Sequence, residues 1–234
     1  MVDGVRAATV NVEVADQDQM TFVVTGSPEL AGAITAKLAG DTLAVRQTRA
    51  ASVGNVSVTT TGDGGSSRNV VTIGDQTFVS EGDGVVVVTG SSQEPVTVDI
   101  TVPRGTPLEF VRFRGDANIG DVDGPLTLDT SGEIRVGKVT DAKIRVERSG
   151  EAFIEHVQGR LELEVSGNGE VHIEQGDVAM LEARVTRNGD IRFDGRAAEA
   201  VLSATGNGEI VVAEVAKRPQ TSVSRNGKIH VGNW

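Results

Sequence analysis

The chain has 234 residues, of which 38% are apolar and only 3% aromatic, and its formal net charge at pH 7 is −11. This acidity argues against non-specific nucleic-acid binding, which needs a basic surface. The absence of cysteine excludes disulfides and thiolate chemistry. No stretch approaches the roughly 20 apolar residues of a membrane-spanning helix. The 29 glycines, together with many valines, favour short strands joined by tight turns.

The N-terminal half, residues 1–104, predicts irregular β structure. Its first residues lack the basic and apolar regions of a signal peptide, so we expect either a cytoplasmic protein or a chain whose signal has been removed. Apolar residues then alternate at Val10, Val12 and Val14, as in a half-buried strand. Residues 50–92 interrupt the pattern with a stretch rich in Ser, Thr and Gly, which predicts a loop or an insertion.

The C-terminal half, from about residue 105 to 234, is a repeat. Each copy has a glycine, an acidic residue and then apolar residues at the second and fourth positions after the glycine, and apolar residues also precede it at six and four positions. Period-two alternation on both sides predicts strand, turn, strand and a short connector in each copy. The repeat glycines are Gly132, Gly150, Gly169, Gly189, Gly208 and Gly227, with a weaker copy at Gly115.

Two architectures fit such a repeat. An antiparallel meander is supported by four Asn-Gly dipeptides, the strongest short hairpin signal. A parallel β-helix-like solenoid, with coils of about 19 residues stacked about 4.8 Å apart, explains better why equal offsets carry equal residue types. We therefore predict an all-β fold in one elongated domain, residues 1–234, with regular coils in its second half and a positive φ at each repeat glycine.

The repeats also carry a family resemblance. A strand ends at Pro103, and repeats such as Ser-Gly-Glu-Ile at 131–134 and Ser-Gly-Asn-Gly-Glu-Val at 166–171 follow it. With the alternating valines and the segment Gly-Asp-Thr-Leu-Ala-Val at 40–45, the chain resembles the auto-transporter adhesin family with a head GIN domain, and related bacterial adhesin-like β-strand repeat proteins, over residues 5–232. The resemblance implies a right-handed β-helix-like solenoid in the bacterial cell envelope or outside the cell, with no established activity.

The acidic residue after each glycine is the main candidate site. In a solenoid these residues form one outward column of like charges, which is destabilising unless something compensates it. Carboxylates are hard oxygen ligands suited to Ca²⁺, so a calcium-binding column is one hypothesis; a solvated turn position, with each carboxylate accepting a backbone N–H, is the other. The candidate calcium ligands are Glu133, Glu151, Glu170, Asp190 and Glu209.

Other outward positions indicate structural roles. Arg145, Glu164 and Arg184 alternate in sign in one predicted column, which indicates cross-strand ion pairs that support register. The column that contains Phe153 and His172 is chemically too mixed to match a repetitive ligand.

Trp234 follows the last repeat at the offset that Val157 and Val215 hold in earlier copies. We expect it to cap the final coil. An uncovered coil end has an unpaired strand edge, which invites stacking of a second copy.

The sequence supports three functional hypotheses. The first is a non-enzymatic, adhesin-like structural or interaction module with an extended acidic β surface, which binds a protein or a cell-surface polysaccharide. The second is a scaffold that self-assembles end to end. The third is a carboxylate-based enzyme acting on polysaccharides, which is weakened by the lack of tyrosine and the single tryptophan. We assign no catalytic or cofactor-binding residues and expect no cofactor apart from calcium.

Overall fold

The computed structural model describes residues 1–3, 8–17, 20–26, 34–39, 42–47, 56–61, 68–73, 76–81, 85–89 and 96–234. The described residues contain strands and no helix, which confirms the all-β prediction. The chain forms two compact units: residues 1–104 with 111–118, and residues 105–110 with 119–234. That the two halves make one elongated domain stays a prediction.

Among its described residues, the first unit contains ten complete strands. They are β1 Val2–Asp3, β2 Ala8–Ala15, β3 Thr21–Thr25, β4 Ile34–Ala39, β5 Thr42–Gln47, β6 Val56–Thr61, β7 Arg68–Ile73, β8 Gln76–Glu81, β9 Val85–Thr89 and β10 Val96–Pro103. Its pairings mix both directions: β10 lies parallel to β2 and antiparallel to β3, and β4 and β5 form an antiparallel pair. Alternating side chains of β2, β3 and β10, among them Val10, Phe22 and Val98, are buried as expected for half-buried strands.

The predicted insertion at 50–92 contains strands. β6, β7 and β8 form a three-stranded antiparallel sheet, and β9 pairs in parallel with β3. The remaining residues of the insertion lie outside the described part of the chain.

The strands that follow are β11 Leu108–Phe113 and β12 Asp116–Ile119, which have residues in both units. The second unit then contains β13 Leu126–Thr130, β14 Glu133–Val139, β15 Ala142–Arg148, β16 Glu151–Gly167, β17 Glu170–Arg187, β18 Asp190–Gly206, β19 Glu209–Val215, β20 Gln220–Arg225 and β21 Lys228–Asn233.

These strands stack in parallel. β16 pairs with β17 and β17 with β18 along nearly their full lengths, and residues 108–233 form a β-solenoid of about seven turns with coils of about 19 residues. The solenoid prediction is confirmed and the meander is wrong, because each Asn-Gly dipeptide leads from one coil into the next. Val165, Val171, Ile173 and Val185 are among the inward residues, all fully buried, so burial of aliphatic columns holds the coils together.

Each full coil has two places where the chain changes direction. We call the first the Asn-Gly turn; it comprises residues 148–150, 167–169, 187–189, 206–208 and 225–227, with Ser149 in place of asparagine in its first copy. We call the second the bend; it comprises residues 157–161, 176–181 and 195–200. Strands end at the Asn-Gly turn, whereas β16, β17 and β18 continue through the bend.

The repeat glycine has a different role from the one predicted. No repeat glycine of the described coils has positive φ; that conformation belongs to the residue two positions earlier, such as Arg187 (φ 86°) or Gly206 (φ 111°). The repeat glycine is instead required by close approach. A Cβ on Gly169 would lie 2.6 Å from both the Gly150 carbonyl oxygen and Val146 Cγ1, a distance that no side chain can occupy.

The first regular coil departs from the predicted alignment. Counting back from the repeat glycines places Leu126 beside Ile144, but the structure pairs Leu128 with Ile144 and Thr130 with Val146. The turn after β13 is shorter, and the Oγ1 of Thr130 accepts a hydrogen bond from the Gly132 N–H at 3.0 Å. This bond explains why a threonine tolerates 1% exposure there.

Candidate functional site

The structure brings the predicted acidic residues into one column. The residue after each repeat glycine pairs with its counterpart in the next coil, and the column ends with Lys228 beside Glu209. All the carboxylates in it are exposed or half-exposed. In order, the paired residues are Glu133, Glu151, Glu170, Asp190 and Glu209.

Residues of the adjacent column, which contains Phe153 and His172, contact two of these carboxylates. Glu133 forms an ion pair with Arg135, and Glu209 lies 3.1 Å from His230 Nε2. The Oδ1 of Asp190 accepts the backbone N–H of Glu209 at 2.9 Å, as expected for a solvated turn position. Glu151 and Glu170, in the middle, have no ion pair within the described residues.

No group of three or more His, Asp or Glu residues in the described part of the chain could hold a metal ion. The column therefore offers carboxylates in a row but no preformed calcium cage. Calcium binding stays a prediction.

A shallow groove of about 390 Å³ lies over the first half of the column. Phe153 and His172 lie beside the acidic residues, and their rings meet edge to face with centroids 5.5 Å apart and an interplanar angle of 88°. An aromatic ring in an outward column is unusual in a chain with so few aromatics. The groove is lined by Glu133, Ile134, Arg135, Glu151, Ala152, Phe153, Glu170 and His172.

Polar contacts hold the histidine of this groove in place. His172 Nε2 lies 3.2 Å from Asp194 Oδ2, and the Arg192 Nε–H donates to the same oxygen at 2.7 Å. The hydrogen bond from Arg192 is the main cause that holds the pKa of Asp194 below its usual range, so the carboxylate is charged at neutral pH. Sequence reasoning missed this cluster because Asp194 lies one coil beyond His172.

The predicted charge ladder is formed in part. Arg145 Nε donates to Glu164 at 3.0 Å, and this bond raises the pKa of Arg145 above its usual range. Arg184 pairs in register with Glu164 but forms no ion pair with any residue the structure describes. A parallel pair on the neighbouring column joins Lys143 to Glu162 at 2.7 Å. These contacts support register, as predicted.

Trp234 lies beside the last coil. Its ring is 70% exposed, and the Arg218 guanidinium carbon lies 6.0 Å from the ring centroid, within reach of a cation–π contact. Capping by Trp234 and stacking of coil ends stay predictions.

Comparison with known proteins identifies the family. No helix in the described ranges is both long and apolar enough to span a membrane. Neither a curated protein nor a solved structure matches the chain. A family model does match residues 5–231, and its description is "Putative auto-transporter adhesin, head GIN domain". Because that match covers nearly the whole chain, the protein belongs to the auto-transporter adhesin family with a head GIN domain.

Proposed function

We propose that the protein is a non-enzymatic, adhesin-like interaction module, whose acidic column and adjoining groove bind a basic segment of a protein partner. The single observation that carries this proposal is the register that places Glu151 and Glu170, both without an ion pair in the described residues, beside Phe153. The family and the solenoid fold support a binding role.

The chemistry of the groove suits lysine or arginine side chains. A cation gains from contact with the face of an aromatic ring, and Phe153 is half-exposed in the groove. The positive charge of the partner's lysine or arginine is stabilised further by charge-assisted hydrogen bonds to the carboxylates of Glu151 and Glu170. Each coil contributes one carboxylate to the column. An extended basic segment that runs across the coils therefore contacts one carboxylate in each coil.

The rigidity of the strands that line the groove favours binding, and the solvent exposure of its carboxylates disfavours catalysis. The groove residues lie on strands with buried neighbours such as Ile154 and Ile173, so little conformational entropy is lost when a partner docks. Glu151 and Glu170 are exposed to solvent. Acid–base chemistry by carboxylates depends on a site that excludes water and separates their pKa values.

A charge-matched comparison tests the proposal. The column variant is Glu151→Gln/Glu170→Gln/Asp190→Asn; the control is Glu147→Gln/Asp177→Asn/Glu182→Gln, whose residues are exposed and lie on other columns. Both change the formal net charge from −11 to −8. The probe is a fluorescein-labelled oligolysine peptide, and its dissociation constant is measured by fluorescence anisotropy.

We expect the column variant to bind about tenfold more weakly and the control to bind within about twofold of the parent, because three exposed ion pairs contribute a few tenths of a kcal/mol each. Phe153→Ala should weaken binding by about threefold at constant charge. Equal losses in the column variant and the control would show that net charge alone attracts the peptide, and would overturn the proposal.

A further inference from the structure

A second outward column, at the Asn-Gly turn, alternates between arginine and glycine. Register pairs Arg148 with Gly167, Gly167 with Arg187, Arg187 with Gly206 and Gly206 with Arg225. One arginine therefore stands in every second coil. At the spacing of stacked strands, successive arginines are about 9.6 Å apart along the solenoid.

Steric contact explains why glycine separates the arginines. A Cβ on Gly167 would lie 2.7 Å from the Cα of Arg148, and a Cβ on Gly206 would lie 2.8 Å from the Cα of Arg187. The intervening coils therefore cannot carry a side chain at this position. The column has room for one side chain in every two coils.

Steric contact does not explain why arginine, and not glycine, occupies this position in the alternate coils. Arg148, Arg187 and Arg225 have φ of 60°, 86° and 61°, a left-handed conformation that costs an L-residue about 1–2 kcal/mol and that glycine adopts freely. Glycine already fills the same column in the other coils. Non-glycine residues held in this conformation cluster at functional sites.

The three arginines are also available to a ligand. All three are exposed, and none forms an ion pair with a residue in the described ranges. Beside them runs a ladder of asparagines, in which Asn188 Nδ2 donates to Asn168 Oδ1 and Asn207 Nδ2 to Asn188 Oδ1, each at 2.9 Å. The ladder fixes the spacing of the turns and so of the arginines.

We propose that the arginine column, Arg148, Arg187 and Arg225, binds a linear acidic polysaccharide. A guanidinium can form two parallel hydrogen bonds with a carboxylate or another planar anion. An extended polysaccharide with an anionic group on alternate sugars repeats its charge every two rings, a length close to that of two coils. The exposed asparagine side chains of the turn, and Ser149, can bond to sugar hydroxyls between the charges.

Nucleic acid fits the column less well. Its phosphates follow one another every 3.4 Å or so along a strand, so only about every third phosphate would meet an arginine. The net charge of −11 would repel the rest, because non-specific binding of nucleic acid needs a broad basic surface.

This binding site is independent of the acidic groove. The arginine column lies before the repeat glycine and the acidic column directly after it, so each can be changed without touching the other. The variant Glu151→Gln/Glu170→Gln/Asp190→Asn should bind an acidic polysaccharide at least as tightly as the parent, because it removes negative charge beside the arginines. A failure of one proposal therefore leaves the other standing.

The test uses hyaluronan, which carries a carboxylate on alternate sugars, with neutral dextran and a single-stranded oligodeoxynucleotide as comparisons. The variant is Arg148→Gly/Arg187→Gly/Arg225→Gly, which should fold because Gly167 and Gly206 occupy the same column. Arg184→Gln, an exposed arginine on another column that also has no ion pair in the described residues, is the control for the single variant Arg187→Gly, which removes the same one charge. Thermal unfolding of each variant checks the fold, and biolayer interferometry on immobilised polymer measures affinity.

We expect the parent to bind hyaluronan and not dextran, with affinity that falls as salt rises. The triple glycine variant should bind roughly 30-fold more weakly, about threefold for each arginine, and Arg184→Gln should bind like the parent. Replacing the three arginines with lysine should cause a partial loss, because lysine keeps the charge but not the planar fork. The proposal is overturned if the parent ignores hyaluronan, if it prefers the oligonucleotide, or if Arg184→Gln loses as much as Arg187→Gly.

Discussion

The Asn-Gly turn and the bend differ in how neighbouring coils keep their register. At the turn the long coils keep step with one another: Gly167 pairs with Arg187 and Glu170 with Asp190, without a shift in register. Register shifts occur at or just before the bend: between Gly159 and Arg160 in β16, and between Ile173 and Asp177 in β17. Differences in length among the long coils are therefore absorbed at or just before the bend, where β17 contains one extra residue relative to β16. The shorter first coil is accommodated at its turn instead.

This difference shows at which positions successive coils must carry the same residue type. At the turn, each coil packs backbone against backbone and hydrogen bonds run from side chain to like side chain, so one deviating residue disturbs two neighbours. At the bend the coils also approach each other closely, since a Cβ on Gly195 would lie against the Gly176 carbonyl oxygen. The Phe193 ring adds a contact to this region, because it would lie 3.0 Å from a Cβ on Gly176 and 2.6 Å from a Cβ on Gly195.

The largest expected loss of stability comes from a substitution that disrupts the close packing of the Asn-Gly turn. Gly189→Ala places a Cβ against Val165 Cγ1 and 2.7 Å from the Gly169 carbonyl oxygen, so two coils must separate. We expect a loss of about 3 kcal/mol in the free energy of unfolding, measured by chemical denaturation. Gly105→Ala is the control: it has positive φ, 71°, but nothing within 4 Å of the added Cβ, and should cost about 1 kcal/mol. Comparable losses at the two positions would contradict the close-packing account of the turn.

Much of the solenoid could be predicted from the sequence because its cause is periodic. Apolar residues two and four positions after each glycine point inward in every coil, and their columns require parallel stacking. The φ of the repeat glycine could not be predicted this way, because glycine is used both for positive φ and for close approach. Here positive φ falls two residues before the repeat glycine, as at Gly206, and close approach requires glycine at both Gly206 and Gly208.

Asn188→Ala measures how strongly like-to-like bonding holds the turn in step. The Asn188 side chain donates to Asn168 and accepts from Asn207, so its removal breaks two hydrogen bonds and should cost about 1–2 kcal/mol. Asn226 takes part in a single ladder bond, to Asn207, and Asn226→Ala should cost about half as much. Differential scanning calorimetry of the two variants decides the matter: equal shifts in the melting temperature would mean that the bonds do not act as a ladder.

The candidate sites were less predictable than the fold. Columns follow from spacing, so the acidic column and the neighbours of Phe153 were visible once a solenoid was assumed. The contact of His172 with Asp194 was not, because it joins different offsets of adjacent coils. The arginine column escaped notice since glycine takes every second place, and only the shared positive φ of Arg148 and Gly167 shows that they belong to one set.

The smallest expected effect lies next to the bend and depends on pH. The hydrogen bond from Arg192 lowers the pKa of Asp194 in the folded protein. The stabilisation is therefore complete above the pKa of the unfolded chain, about 3.9 for an aspartate, and is lost as pH falls through the lower folded-state pKa. Asp194→Asn should be less stable than the parent at pH 7, by less than about 1 kcal/mol, and the difference should shrink towards pH 2 in urea titrations. Asp177→Asn is the control, since it removes an exposed carboxylate within the bend that forms no ion pair in the described residues. If the difference in the free energy of unfolding between Asp194→Asn and the parent stayed constant with pH, the contribution of Asp194 would come from side-chain packing and not from its ion pair with Arg192.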